Sequence, residues 1–184
     1  MRIVYIIVKF LTLPGAITHA FFEHMCCRAA KVLVDDARVI QANEMLSHID
    51  HELIKRKGAS FDICFIPFFL NLLLGFLTLM YATVTIYYYA RFSDVFAWIC
   101  LYIGISMLTN LFPQVEDVMM LKENFYGKKK GIVSKILIAP FYAIFVAGAY
   151  LEKFGITLIT SIAFSFAVPY ILGTFIPSLY KFIA

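Results

Sequence analysis

The chain has 184 residues, of which 62% are apolar and 15% are charged, and its mean hydropathy is +0.84. Soluble domains carry about 25% charged residues, so the composition excludes an ordinary soluble protein and indicates an integral membrane protein. The net charge of +4 lies in loops rather than in a basic stripe interleaved with exposed aromatic residues, which argues against a nucleic-acid partner. The expected surroundings are the lipid bilayer and other membrane subunits.

Five apolar stretches are candidate membrane spans, since a bilayer core needs about 20 mostly apolar residues per helix. The first, residues 4–34, is interrupted by Lys9, by the Pro14-Gly15 pair and by further polar side chains. This pattern predicts either one kinked span or a short span followed by a helix partly inside protein. The other four stretches are 62–90, 93–112, 132–151 and 154–179. We therefore expect an all-α, polytopic transmembrane bundle of about five spans, forming one domain over residues 1–184.

A polar segment, residues 36–57, separates the first two predicted spans. Apolar side chains recur in it at helical spacing, at Val39, Ala42, Leu46, Ile49 and Leu53. The segment therefore predicts an amphipathic helix on the cytoplasmic surface. His48, His51 and Glu52 lie on its polar side at ligand-like spacings, so they are either a second candidate metal set or simply a solvated face.

Basic residues predict the orientation, because cytoplasmic loops carry the excess of Lys and Arg. They concentrate in residues 28–60 and 114–131, whereas the alternate loops hold only Arg91 and Lys153. This distribution places the N-terminus outside and the C-terminus in the cytoplasm. Lys128 to Lys130 is then most simply a topology signal.

The segment "LPGAITHAFFEH", residues 13–24, carries the first candidate site. On a helix, His19 and Glu23 share a face, and His24 points about 140° away. Zinc accepts both imidazole and carboxylate ligands, and a catalytic zinc site needs three protein ligands. The third is expected from Asp117 in "NLFPQVED", where a proline breaks the third span. The sequence thus predicts a zinc site drawn from His19, Glu23, His24 and Asp117.

Simpler explanations exist for the same residues. His19 and Glu23 can satisfy each other by a hydrogen bond within a bundle, without any metal. Glu116 and Asp117 fit the first turn of a helix, where the macrodipole favours negative charge. The four cysteines show no CxxC spacing and are expected to be free thiols.

The order of these motifs resembles a known family. Leu13-Pro14-Gly15, His19, Cys27-Arg28 and Lys31-Val32 are similar to the start of small prokaryotic membrane metallopeptidase-like proteins, whose layout is that of site-2-protease-type zincins. "SFDICFIPFFLNLLLG" and "ISMLTNLFPQVED" are similar to that family's second and third spans. The likeness covers about residues 13–121, and it implies a zincin-like core over about 4–121 with two further spans at 132–179.

The departures from that family bear on its chemistry. The resemblance implies His-Glu-x-x-His in the first span, where two histidines bind zinc and the glutamate polarises water. Here Ala20 stands at the glutamate position and Glu23 at the second histidine. Shifting the register to use His24, or inverting the motif, still leaves Ala20. Asn110 replaces a third-span histidine, while Asp117 is retained.

Two functions follow from this comparison, and a third has weaker support. The first is a catalytically degenerate metallopeptidase acting as a structural or interaction subunit of a membrane assembly. The alternative is an active intramembrane zinc metallopeptidase that cleaves membrane-protein substrates. A transporter would be suggested only by Pro140, Pro169 and Pro177, in spans that lack ionisable residues at their centres.

Overall fold

The computed structural model describes residues 2–36, 49–127 and 131–175. Within these ranges the chain consists of helices, connecting loops and one two-stranded antiparallel sheet, so the predicted all-α class is confirmed. The helices and strands in chain order are α1 Arg2–Leu11, α2 Leu13–Ala29, β1 Val34–Asp36, β2 Asp50–His51, α3 Lys57–Thr83, α4 Val95–Thr109, α5 Val115–Tyr126, α6 Ile132–Lys153 and α7 Ile156–Phe175. A π-helical turn, Val84–Tyr88, extends α3.

Two of these helices are long and apolar enough to cross a membrane, Lys57–Tyr87 and Ile132–Lys153. The pair formed by α1 and α2 reaches that length only together, and the two helices meet at 93°. Two further apolar helices are shorter, Val95–Thr109 and Ile156–Ile171. An integral membrane protein fits this arrangement, whereas the predicted number of five spans is not confirmed.

The right-angle break between α1 and α2, which we call the knee, follows from Pro14. Proline has no backbone N–H and disrupts the helical ladder around it. Side chains of α4 bond to the backbone groups exposed there: Tyr102 Oη donates to Leu11 O at 3.0 Å and Ser106 Oγ donates to Thr12 O at 2.7 Å. Gly15 N in turn donates to Ser106 Oγ at 2.7 Å. The break is therefore tolerated because neighbouring side chains satisfy its backbone.

The knee also requires close contact between α2 and α4. A Cβ built on Gly15 would overlap the backbone carbonyl of Ser106, so glycine is needed there. Asn110, at the end of α4, adds bonds from Nδ2 to Thr12 O at 3.1 Å and to Thr12 Oγ1 at 2.8 Å. Tyr102, Ser106 and Asn110 thus form one polar stripe at i, i+4 and i+8 spacing.

The predicted amphipathic helix over 36–57 is wrong at both of its described ends. Asp36 lies in β1 and residues 49–56 contain β2 and extended chain, while residues 37–48 lie outside the described residues. β1 and β2 pair antiparallel, with Val34 opposite His51. The structure buries Ile49 and Ile54 and leaves Leu53 72% exposed, so the helical spacing of Ile49 and Leu53 does not reflect burial.

Candidate metal centre

Three side chains from separate elements meet in one buried cluster, Glu23 of α2, His51 of β2 and Asp117 of α5. One ligand atom from each lies within 4.8 Å of the other two. His51 Nε2 is 3.2 Å from Asp117 Oδ1, and the two side chains are 1% and 3% exposed. We call this group the Glu23–His51–Asp117 cluster. It joins the first predicted span to the helix after the third, as the sequence predicted, but with a different histidine.

Local structure fixes each of the three side chains. Asp117 lies in the first turn of α5, where negative charge is favoured. Its neighbour Val118 packs with Cys64 and Phe145, which anchors that turn to the bundle. His51 lies in β2, which pairs with β1, and its Nδ1 lies 3.0 Å from Glu52 O. Because a carbonyl only accepts, the Nδ1 proton points away from the cluster and Nε2 faces Asp117.

This arrangement of the histidine is typical of metal ligands, which donate the second ring N–H to a carbonyl or carboxylate. The cluster offers one imidazole nitrogen and carboxylate oxygens from two residues. Zinc accepts both ligand types at about 2.0–2.2 Å, and carboxylate-rich sets also suit harder ions such as manganese. Three protein ligands would leave a further coordination position for water.

Electrostatics at His51 favour a positive charge in the absence of a metal. Burial alone lowers the pKa of His51, but the hydrogen bond to Asp117 and the negative charge of that carboxylate outweigh this effect. The Glu52 carbonyl and the charge of Glu23 act in the same direction, and the pKa of His51 rises to about 9. At neutral pH a metal ion therefore has to displace one proton from this ring.

Two other predicted ligands, His19 and His24, are not members of the cluster. His19 is buried, but its Nδ1 lies 3.1 Å from Asn110 O, and it is not a member of the three-residue cluster. His24 is half-buried, and its Nδ1 has no hydrogen-bond partner among the described residues. His48 lies outside the described residues. The four cysteines are free thiols, as predicted.

Asn110, predicted as a replaced histidine ligand, is a structural anchor. Its carbonyl accepts from Asn71 Nδ2 at 2.7 Å as well as from His19, and its side chain bonds to the knee. Asn71 also donates to Gly15 O at 3.2 Å. The buried polar residues of α2, α3 and α4 thus form one network, and Asn71 is a member of it that was not among the predicted site residues. The signal was available, since an Asn within an apolar span usually bonds to neighbouring helices.

Comparison of the chain with models of protein families, with curated proteins and with solved structures gave no match. The metallopeptidase resemblance therefore remains a prediction from the motifs.

Proposed function

We propose that the chain is a multi-pass membrane protein with the layout of an intramembrane zinc metallopeptidase, which lacks the catalytic base and serves as a non-catalytic subunit of a membrane assembly. In this proposal the Glu23–His51–Asp117 cluster binds one zinc ion. The metal then ties α2, β2 and α5 together. The N-terminus is placed outside and the C-terminus in the cytoplasm, from the distribution of basic residues.

The observation that carries the proposal is the convergence of Glu23, His51 and Asp117 from three elements far apart in sequence. Each of these side chains is almost fully buried, and ionisable groups are costly at membrane depth unless they face a partner or serve a site. The hydrogen bond from His51 Nδ1 to Glu52 O orients the other nitrogen for coordination. Zinc is the proposed ion because imidazole and carboxylate are both among its ordinary ligands.

Loss of catalysis is supported by the surroundings of His19. The residue that follows it, where the resemblance implies the glutamate base, is Ala20, and this side chain is 0% exposed. In the proposed site Glu23 is a ligand, so it is not available to activate water as well. General-base assistance contributes typically 10²–10⁴-fold, so hydrolysis by a metal-bound water would lose that factor here.

The role in an assembly is supported by the outer surface of α6. Four large apolar side chains in its first two turns are between 68% and 81% exposed, namely Ile132, Val133, Ile136 and Leu137. In a membrane this face meets lipid or another helix. The proposal assigns it to a partner subunit, and a photo-crosslinker at position 137 would capture that partner in membranes.

Elemental analysis of the purified chain tests the metal. We expect about one zinc per chain in the native protein, and loss of zinc in the variants Glu23→Gln and His51→Gln. His24→Gln is the matched control, because His24 lies next to Glu23 on α2 but outside the cluster. A zinc content near zero in the native protein, or equal zinc in all four proteins, would refute metal binding at the cluster.

Peptidase assays on the zinc-loaded chain separate the two functions. We expect no cleavage of membrane-protein substrates above the level of the His51→Gln variant. The active peptidase remains the second candidate, because three protein ligands leave a position for water. Cleavage that disappears with Glu23→Gln or His51→Gln and persists with His24→Gln would establish the active enzyme and overturn the proposal.

A further inference from the structure

A groove between α2 and α3 is lined by apolar side chains and two charged ones, as a lipid-binding site would be, and its lining does not include the Glu23–His51–Asp117 cluster. It has a volume of about 590 Å³, within the range of small-molecule sites. We call it the α2–α3 groove. Its lining includes Phe22, Met25, Ile66 and Leu70 along its length, and the charged residues Arg56 and Asp62.

The apolar lining comes from one face of each helix. Phe22, Met25 and Cys26 recur on α2 at i, i+3 and i+4, and Ile66 and Leu70 are one turn apart on α3. Met25 and Ile66 remain 53% and 36% exposed among the described residues, so both offer apolar surface to a ligand. Such a lining accepts an extended hydrocarbon chain, because it offers apolar contact over more than one helical turn.

The charged residues lie toward one end of the groove. Arg56 precedes α3 and Asp62 is in its second turn, and neither side chain forms a hydrogen bond or an ion pair with any described residue. Asp62 lies near the start of a helix able to span a membrane. A cation and an anion that line the same groove match a headgroup that carries both charges.

We propose that the α2–α3 groove binds one phospholipid whose headgroup has a phosphate and a primary amine. Arg56 binds the phosphate, Asp62 accepts hydrogen bonds from the ammonium, and an acyl chain lies against Phe22, Ile66 and Leu70. Basic residues beside membrane helices are ordinary ligands of lipid phosphates. A primary ammonium gives Asp62 three N–H donors, whereas a trimethylammonium gives it none. The proposal does not depend on metal binding by the Glu23–His51–Asp117 cluster.

Native mass spectrometry of the full chain in detergent tests this. The probes are phosphatidylethanolamine, phosphatidylcholine and phosphatidylglycerol with identical acyl chains. We expect phosphatidylethanolamine to bind about tenfold more tightly than phosphatidylcholine, which is the size expected for a hydrogen bond to a charged group. Asp62→Asn should abolish this preference. Arg56→Gln should weaken all three lipids alike, because their phosphate is common.

Two matched controls carry the same chemical changes outside the groove, Glu123→Gln and Arg91→Gln, and both should leave lipid binding unchanged. Leu70→Trp should exclude all three lipids by filling the groove. Equal affinity for phosphatidylethanolamine and phosphatidylcholine, or a preference that survives Asp62→Asn, would overturn the proposal. Failure of the native chain to retain any of the lipids would also overturn it and leave the groove to a protein helix.

Discussion

The Lys9 ammonium lies 2.6 Å from Glu152 Oε1, and the two side chains are 4% and 5% exposed. This ion pair joins α1 to the end of α6. Glu152 Oε2 also accepts a hydrogen bond from Phe112 N at 3.2 Å, so the carboxylate holds three segments of the chain together. The sequence showed Lys9 only as a charged residue that interrupts an apolar stretch. The ion pair with Glu152 explains how this charge is accommodated in the buried interior.

Removing one member of this ion pair should lower the stability of the folded chain more than removing both. Lys9→Met leaves a buried, unpaired carboxylate, and such changes cost about 3–5 kcal/mol. The double variant Lys9→Met/Glu152→Gln should recover most of that loss, because Gln keeps an acceptor for Phe112 N and carries no charge. Reversible unfolding in mixed micelles measures the difference. Lys153→Gln, at an exposed neighbouring position, is the control. Equal destabilisation by the single and double variants would contradict the role of the charge pair.

Gly15→Ala should destabilise the knee. The added methyl group would overlap the carbonyl of Ser106, and overpacking of this kind costs about 1–3 kcal/mol or more. Thermal unfolding in detergent is the measurement. Gly58→Ala is the matched control, because a Cβ at Gly58 meets nothing within 4 Å and alanine favours the helix. Similar melting temperatures for native chain and Gly15→Ala would show that α2 and α4 do not pack this closely.

The His51–Asp117 pair predicts a pH dependence of stability in the presence of a chelator. The pKa of His51 is raised from an unfolded value of about 6.5 to about 9 in the folded chain. Its contribution is therefore complete below about pH 6.5 and is lost as the pH rises through about 9. Melting temperature should fall across this window in the native chain. The fall should be smaller in His51→Gln and in Asp117→Asn, and an identical pH profile in all three proteins would contradict the pairing.

Zinc should raise the stability of the native chain at neutral pH. A ligand that binds only the folded state at 100 times its dissociation constant adds about 2.7 kcal/mol. The melting temperature should therefore rise with added zinc and return with chelator. Glu23→Gln should show little response, and His24→Gln should respond like the native chain. A rise of equal size in Glu23→Gln would place the metal elsewhere.

Much of the fold was predictable from local pattern. Apolar runs placed α3, α4, α6 and the described part of α7 close to their observed bounds, although only α3 and α6 are long enough to be candidate membrane spans. The knee was predictable as a kink from Pro14, but its angle of 93° depends on hydrogen bonds from Tyr102, Ser106 and Asn110. Residues that are distant in sequence determine that geometry, so no local pattern contains it.

The candidate site was predictable only in part. The sequence placed Glu23 and Asp117 in one predicted site, and the two side chains do lie in the same cluster, whereas their binding of a metal stays a prediction. His51 was considered only within a different set, because helical spacing was assumed for residues 36–57 while His51 lies in a strand. His19 was favoured by its i, i+4 relation to Glu23, but the carbonyl of Asn110 holds its ring.

The knee has a mechanical consequence. The carbonyl of Thr12 accepts hydrogen bonds from Ala16 N, from Ser106 Oγ and from Asn110 Nδ2. Because two of these donors belong to α4, that helix restrains the angle between α1 and α2 at the knee. On one side of the knee, Lys9 of α1 forms the ion pair with Glu152, and on the other side, Glu23 of α2 belongs to the Glu23–His51–Asp117 cluster. A displacement of α6 that moves α1 through this ion pair would therefore also load α4 at the knee, so the knee couples the Lys9–Glu152 pair to the Glu23–His51–Asp117 cluster.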